Sequence, residues 1–170
     1  MSSTHSITAS SPGAAFSREI CFTHMDLQPL NILKADVWGE HVLKFIDFEY
    51  AGYNPRALDV ANTWCEHCEM TDMKPDYDAQ YPSPDQQRFF VKCYLSNLDP
   101  AGCEANKYDD AFVADFIRDV DRHSLMSHYA WLLWSVKQAV EADIEWDYYR
   151  YIGIRAKGYF WMKGKLGEAS

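Results

Sequence analysis

The segment His24-Met25-Asp26-Leu27-Gln28-Pro29-Leu30-Asn31 sets a histidine, an aspartate and an asparagine in the pattern HxDxxxxN. Asp47 follows sixteen positions after Asn31, at the end of the apolar run Val42-Leu43-Lys44-Phe45-Ile46. These residue types suit phosphoryl transfer, which asks for an in-line nucleophile and for cations that neutralise phosphate oxygens rather than for covalent chemistry by the protein. A carboxylate at Asp26 can orient an acceptor hydroxyl and take its proton. The amide oxygen of Asn31 and the carboxylate of Asp47 are hard oxygen ligands of the kind Mg²⁺ prefers. His24 would support the loop. Taken singly these features are common: HxD can be a turn or a cap, with His24 hydrogen-bonded internally. Together, residue types, spacing and hairpin context match the catalytic loop of a phosphotransferase.

The elements that must position these residues can be read from the pattern. Ile20-Cys21-Phe22-Thr23, Asn31-Ile32-Leu33 and Val42 to Ile46 read as short strands, with a turn at Ala35 to Glu40 signalled by Asp36 and Gly39. Each strand ends in polar residues. The rest reads as helix. Leu58, Ala61, Trp64, Cys65 and Cys68 fall at helical spacing, which predicts a helix from Pro55 to Glu69. A loop from Met70 to Ser83 leads to a helix opened by Pro84 and closed at Asp99-Pro100-Ala101-Gly102. A long helix is expected over Lys107 to Glu141 and a last one over Ile144 to Met162. Trp131 and Trp134 lie three apart and share a surface. Residues 1–19 read as a flexible tail, 20–165 as one folded lobe and 166–170 as a second tail.

Composition narrows the function. The chain has 170 residues, 48% of them hydrophobic, enough for a real core. A formal net charge of -9 speaks against nucleic acid as a partner and leaves room for a cationic ligand. Five cysteines at irregular spacing imply no disulfide framework. Cys65 and Cys68 form a CxxC without a second ligand pair, so they read as small buried residues rather than a zinc site. No apolar run reaches the ~20 residues of a membrane span, and no secretory signal is evident, so a cytoplasmic location is expected.

Several segments resemble one known family. Cys21 to Asp26 through Asn31-Ile32-Leu33, and Phe45-Ile46-Asp47-Phe48-Glu49-Tyr50-Ala51-Gly52-Tyr53-Asn54, are similar to the signature motifs of choline/ethanolamine kinases. So are Asp59-Val60-Ala61-Asn62-Thr63-Trp64-Cys65-Glu66, Ser127 to Trp134, and Tyr151-Ile152-Gly153-Ile154-Arg155. The resemblance covers roughly residues 20 to 165. It implies an α+β, mostly α fold: a protein-kinase-like C-terminal lobe with a small β hairpin carrying the active-site loops. It implies that Asp26 is the catalytic base, that Asn31 and Asp47 hold Mg²⁺ with help from Glu49, and that ATP is the co-substrate. Choline or ethanolamine would sit with its head group among Glu66, Trp131, Trp134 and Tyr151 and its hydroxyl at Asp26. Aromatic faces attract a quaternary ammonium that cannot donate hydrogen bonds, although aromatics at helical spacing are more often core. One departure lies inside the first motif: Met25 stands where the family often has asparagine.

The same resemblance sets expectations about what precedes residue 24. A kinase needs a glycine-rich loop over the nucleotide and a strand-borne lysine, and upstream of His24 there is only a Ser-rich stretch. This reads as a truncated form expected to bind ATP poorly, with uncovered apolar surface that favours a homodimer. Two other readings stay open: a non-catalytic pseudokinase-like binding module, and an aminoglycoside-type phosphotransferase.

Overall fold

A computed structural model describes residues 10–37, 39–68 and 73–168 of the chain. Its elements are, in order, α1 (Pro12–Ser17), β1 (Ile20–Thr23), a 3-10 turn (Pro29–Asn31), β2 (Ile32–Val37), β3 (Glu40–Phe45), β4 (Gly52–Pro55), α2 (Arg56–Glu66), α3 (Tyr77–Gln80), α4 (Pro84–Leu98), α5 (Pro100–Glu104), α6 (Asp110–Glu141) and α7 (Tyr148–Glu168). The chain is mostly helical, with two small antiparallel pairs: β1 with β4, and β2 with β3.

The helices begin where side chains satisfy their free N–H groups. Ser83 and Gln86 form a capping box before α4, with Pro84 in its first turn. Asp109 accepts from the Phe112 amide at 2.8 Å to start α6. α7 follows a short connection and packs along α6. Between them and α2 lies the core, built around Ala61, Trp64 and Cys65 of α2, Phe116 and Val120 of α6, and Ile154 and Met162 of α7. Val91 and Leu95 of α4 close it from one side.

At one point α7 comes so near α6 that only glycine fits. A Cβ on Gly158 would lie 2.4 Å from Cε1 of His128. The His128 ring is itself fully buried, and burial together with Arg155 pulls its pKa down to about 3, so it stays neutral. Gly158→Ala should therefore lose about 1–3 kcal/mol to overpacking, more than the ~1 kcal/mol alanine gains as a helix former. Urea unfolding midpoints of the two proteins check this.

The structure corrects the reading of both ends. Residues 1–9 of the expected tail lie outside the described residues, but α1 is an ordered helix docked on α6. Pro12 suits its first turn, and Gly13 permits a close approach: a Cβ there would lie 2.3 Å from the Phe112 carbonyl oxygen. Phe16 packs against Phe112 with ring centroids 5.6 Å apart. Ser17 donates to Asp119 Oδ2 at 2.7 Å, and Arg18 donates to both oxygens of the same carboxylate. A composition rich in Ala and Ser hid an anchor made by a few larger residues. At the other end α7 runs on to Glu168, past the expected end at Met162, because Leu166 still packs against the core. α3 and α5 are short helices where loops were expected; residues 69–72 lie outside the described set. Cys65 and Cys68 are buried free thiols, and burial pushes Cys65 up to about 11. No helix among the described residues is long and apolar enough to cross a membrane.

Candidate active site

Two loops are brought together by the strand pairings. Thr23 of β1 pairs with Gly52 of β4, which sets the loop after β1 beside the loop before β4. The β2–β3 hairpin pairs Ile32 with Phe45, and at its base the Ile46 amide donates to the Asn31 carbonyl at 3.0 Å. Asp26, Asn31 and Asp47 therefore stand on adjacent segments. His24 Nε2 contacts the Ile46 carbonyl at 2.9 Å, tying the first loop to the second.

The first loop is held from below by α2. Asp59 accepts from the His24 amide at 3.1 Å and from the Met25 amide at 2.8 Å. Asn62, fully buried, donates to the Met25 carbonyl at 2.9 Å. Its own Oδ1 accepts from Ser127 Oγ at 2.8 Å and from Trp131 Nε1 at 2.7 Å. One asparagine thus links the loop to α6 and to the aromatic wall. Neither Asp59 nor Asn62 was singled out from sequence. The signal was their spacing of three, which places both on one face of α2.

These bonds hold Met25 at φ 65, and Asp47 stands at φ 63; both are left-handed backbone that β-carbon-bearing residues seldom adopt. Asparagine tolerates that conformation better than methionine. Met25→Asn should thus stabilise the fold by about 1 kcal/mol, part of the cost of left-handed backbone, read as a rise in the thermal midpoint.

A cleft of about 300 Å³ opens beside the loops. Asp26, Gln28, Leu30, Asp47 and Glu49 form one side, and Tyr50, Trp131, Trp134, Trp146, Tyr151 and Glu66 the other. Tyr50 meets Trp131 edge to face at 5.2 Å, as Trp131 does Trp134 at 5.3 Å, and Trp146 lies tilted against Tyr151 at 5.0 Å. Trp134 Nε1 donates to the Tyr50 hydroxyl at 3.0 Å. Tyr50 and Trp146 were not among the expected site residues. Trp146 lies in the connection between α6 and α7, and only the turn of that connection brings it to the cleft.

Asp26 is buried at the meeting of the two sides. Burial pushes its carboxyl up to about 6, and the carboxylates of Glu66 and Asp47 add to the rise. Asn31 donates to Asp26 Oδ2 at 2.9 Å and to its carbonyl at 2.8 Å. The Asn31 Nδ2 group is thereby committed to Asp26, so its amide oxygen is the atom that Asn31 could offer a cation. Asp47 and Glu49 are exposed. Among the described residues no cluster of three or more His, Cys, Asp or Glu side chains could hold a metal ion. The oxygens of Asn31 and Asp47 suit Mg²⁺ nevertheless, since that ion is commonly held by one or two protein ligands with substrate phosphates and water completing its shell. Glu66, expected to offer a counter-charge to a cation, is engaged by Arg155.

Comparison with known proteins bears on what such a cleft is for. The family model described as Choline/ethanolamine kinase matches residues 3–160. Mouse choline/ethanolamine kinase is 33% identical over 153 residues, which cover 86% of this chain and 39% of that protein. Mouse choline kinase alpha is 35% identical over 160 residues, 87% of this chain and 35% of that protein. Among solved structures, the ethanolamine kinase of Plasmodium vivax superposes with a TM-score of 0.69 at 27% identity, covering 87% of this chain and 36% of that one. The chain thus spans well under half the length of these relatives.

Proposed function

The chain belongs to the choline/ethanolamine kinase family, and from that premise we propose that its cleft receives choline or ethanolamine for Mg²⁺-dependent phosphoryl transfer from ATP. The observation that carries this reading is the juxtaposition of a buried carboxylate, Asp26, with an aromatic wall along a single small cleft. A cationic head group would lie against Trp131, Trp134, Trp146 and Tyr50, held by ring quadrupoles. A two-carbon amino alcohol is short enough for its hydroxyl then to reach Asp26.

In this reading Asp26 accepts a hydrogen bond from the substrate hydroxyl, orients its oxygen toward the phosphorus and takes the proton as the new bond forms. Asn31 holds Asp26 in place, while His24, Asp59 and Asn62 fix the loop that carries it. Asn31 and Asp47, assisted by Glu49, would hold Mg²⁺, which when bound neutralises charge on the phosphate oxygens. The aromatic lining supports an amino alcohol over an aminoglycoside, which would be met by acidic clusters in place of the tryptophan pair.

Incubation of the protein with MgATP and each of choline, ethanolamine and an aminoglycoside, with products read by mass spectrometry, tests the assignment. Phosphocholine or phosphoethanolamine is the expected product. Phosphorylation of the aminoglycoside alone would contradict it.

A further inference from the structure

We infer that Arg155 is a positioning residue for the cation pocket, fixing from behind the aromatic wall the Glu66 carboxylate and the Tyr151 hydroxyl of two residues that face the cleft. The inference rests on reading the cleft as an amino-alcohol site and deepens that reading. Arg155 lies on α7 one turn after Tyr151 and is fully buried. Its Nε donates to the Tyr151 hydroxyl at 2.8 Å. Its Nη2 donates to the same hydroxyl and to Glu66 Oε1. The guanidinium also stands over two rings, 5.0 Å from the centroid of Tyr151 and 5.8 Å from that of Trp131. Arg155 is not part of the cleft lining, yet Glu66, Tyr151 and Trp131 all are. One side chain therefore braces three pocket residues drawn from α2, α6 and α7.

The charges give the arrangement its meaning. A cation in the cleft meets Glu66 as one half of an ion pair, so the carboxylate's pull is largely offset by Arg155. Attraction is left to the ring faces and to Asp26, Asp47 and Glu49 across the cleft. The Glu66–Arg155 pair contributes by holding the wall in place rather than by binding the head group. A buried ion pair is also seldom a source of net stability, since apolar residues of similar volume often do as well. Its placement directly behind the pocket therefore points to geometry as its use. Lysine keeps the charge but has a single nitrogen on a flexible stem, and it cannot reproduce the planar fork that engages Glu66 and Tyr151 together.

Choline titrated into the full chain without nucleotide, followed by tryptophan fluorescence, tests the assignment in the wild type, Arg155→Lys and Tyr151→Phe. Loss of the outer partner of a metal ligand weakens metal binding about 10- to 100-fold, and a comparable loss of choline affinity, about tenfold, is expected for Arg155→Lys. Tyr151→Phe keeps the ring and removes only the hydroxyl that Arg155 grips. It should weaken choline in the same direction while staying folded, with a lower melting point from the guanidinium N–H groups left without that acceptor; a purely structural role would lower the melting point and leave the affinity of the folded protein unchanged. If Arg155→Lys fails to fold, Tyr151→Phe decides alone. Wild-type affinity in the folded variants overturns the positioning role and leaves the reading of the cleft intact. A wild-type chain indifferent to choline overturns both.

Discussion

Asp26→Asn should lower phosphoryl transfer by at least ~100-fold, the usual contribution of a general base, and at the same time make the protein more stable at pH 8. Both effects come from one cause. The Asp26 carboxyl is buried with Glu66 and Asp47 nearby, which raises its pKa to about 6. Its unfolded value is about 3.9. The folded state therefore binds the proton more tightly than the unfolded chain does. That preference costs almost nothing below pH ~3, where both states are protonated. It becomes a penalty as the pH climbs through the interval up to 6, and above 6 the folded protein carries the whole of it. A shift of about two units corresponds to on the order of 2–3 kcal/mol. Asparagine has nearly the same shape, can still accept from Asn31, and has no charge to desolvate. Urea unfolding of the two proteins should show the variant ahead at pH 8 and the difference nearly gone by about pH 3. A variant less stable than the wild type at pH 8 would mean that Asp26 is structural and not held there for chemistry.

Trp134→Leu should weaken choline about 2- to 30-fold and ethanolamine by less. Trp134 is the ring most connected within the wall: it meets Trp131 at 5.3 Å, Tyr148 at 6.0 Å and Trp146 at 6.4 Å, and its Nε1 holds the Tyr50 hydroxyl. Leucine fills much of the volume, but it has no quadrupole and no N–H. A quaternary ammonium loses a ring face worth about 0.5–2 kcal/mol and has no hydrogen bonds with which to compensate. A primary ammonium can still donate to Asp47 or Glu49 across the cleft. The change belongs to ground-state and transition-state binding alike, so KM for choline should rise while kcat moves little. Trp131 is the poorer choice for this experiment, because its Nε1 also donates to Asn62 and its loss would disturb the loop that carries Asp26.

The loops that carry Asp26, Asn31 and Asp47 were legible because their pattern is local. HxDxxxxN and the Asp after an apolar strand are short-range patterns, and the strand registers set them side by side without help from distant residues. The long helices were legible for a similar reason: Ser83-Pro84 and Asp109 are start signals, and the apolar spacing of α2 and α6 is regular. What sequence could not show was held by contacts between distant residues. Glu66 and Arg155 lie 89 positions apart, so nothing in either segment announces that the expected counter-charge is already paired. Asn62 looks like any polar residue on a helix until Met25, Ser127 and Trp131 converge on it. Trp146 reaches the cleft only through the turn between α6 and α7. α1 was hidden by its own composition, since Ala, Gly and Ser suggest a tail, and it is the docking of Phe16 and Arg18 on α6 that orders it.

The most direct test of the central claim is an NMR titration of the full chain with choline, observing the tryptophan indole N–H resonances. The cleft reading predicts saturable shifts confined to Trp131, Trp134 and Trp146, with Trp64 and Trp161 unmoved, and the same set shifted by tetramethylammonium, which has the head group and no hydroxyl. Indole resonances of the cleft that stay fixed at millimolar choline, or shifts that spread evenly over buried and distant tryptophans, would contradict it.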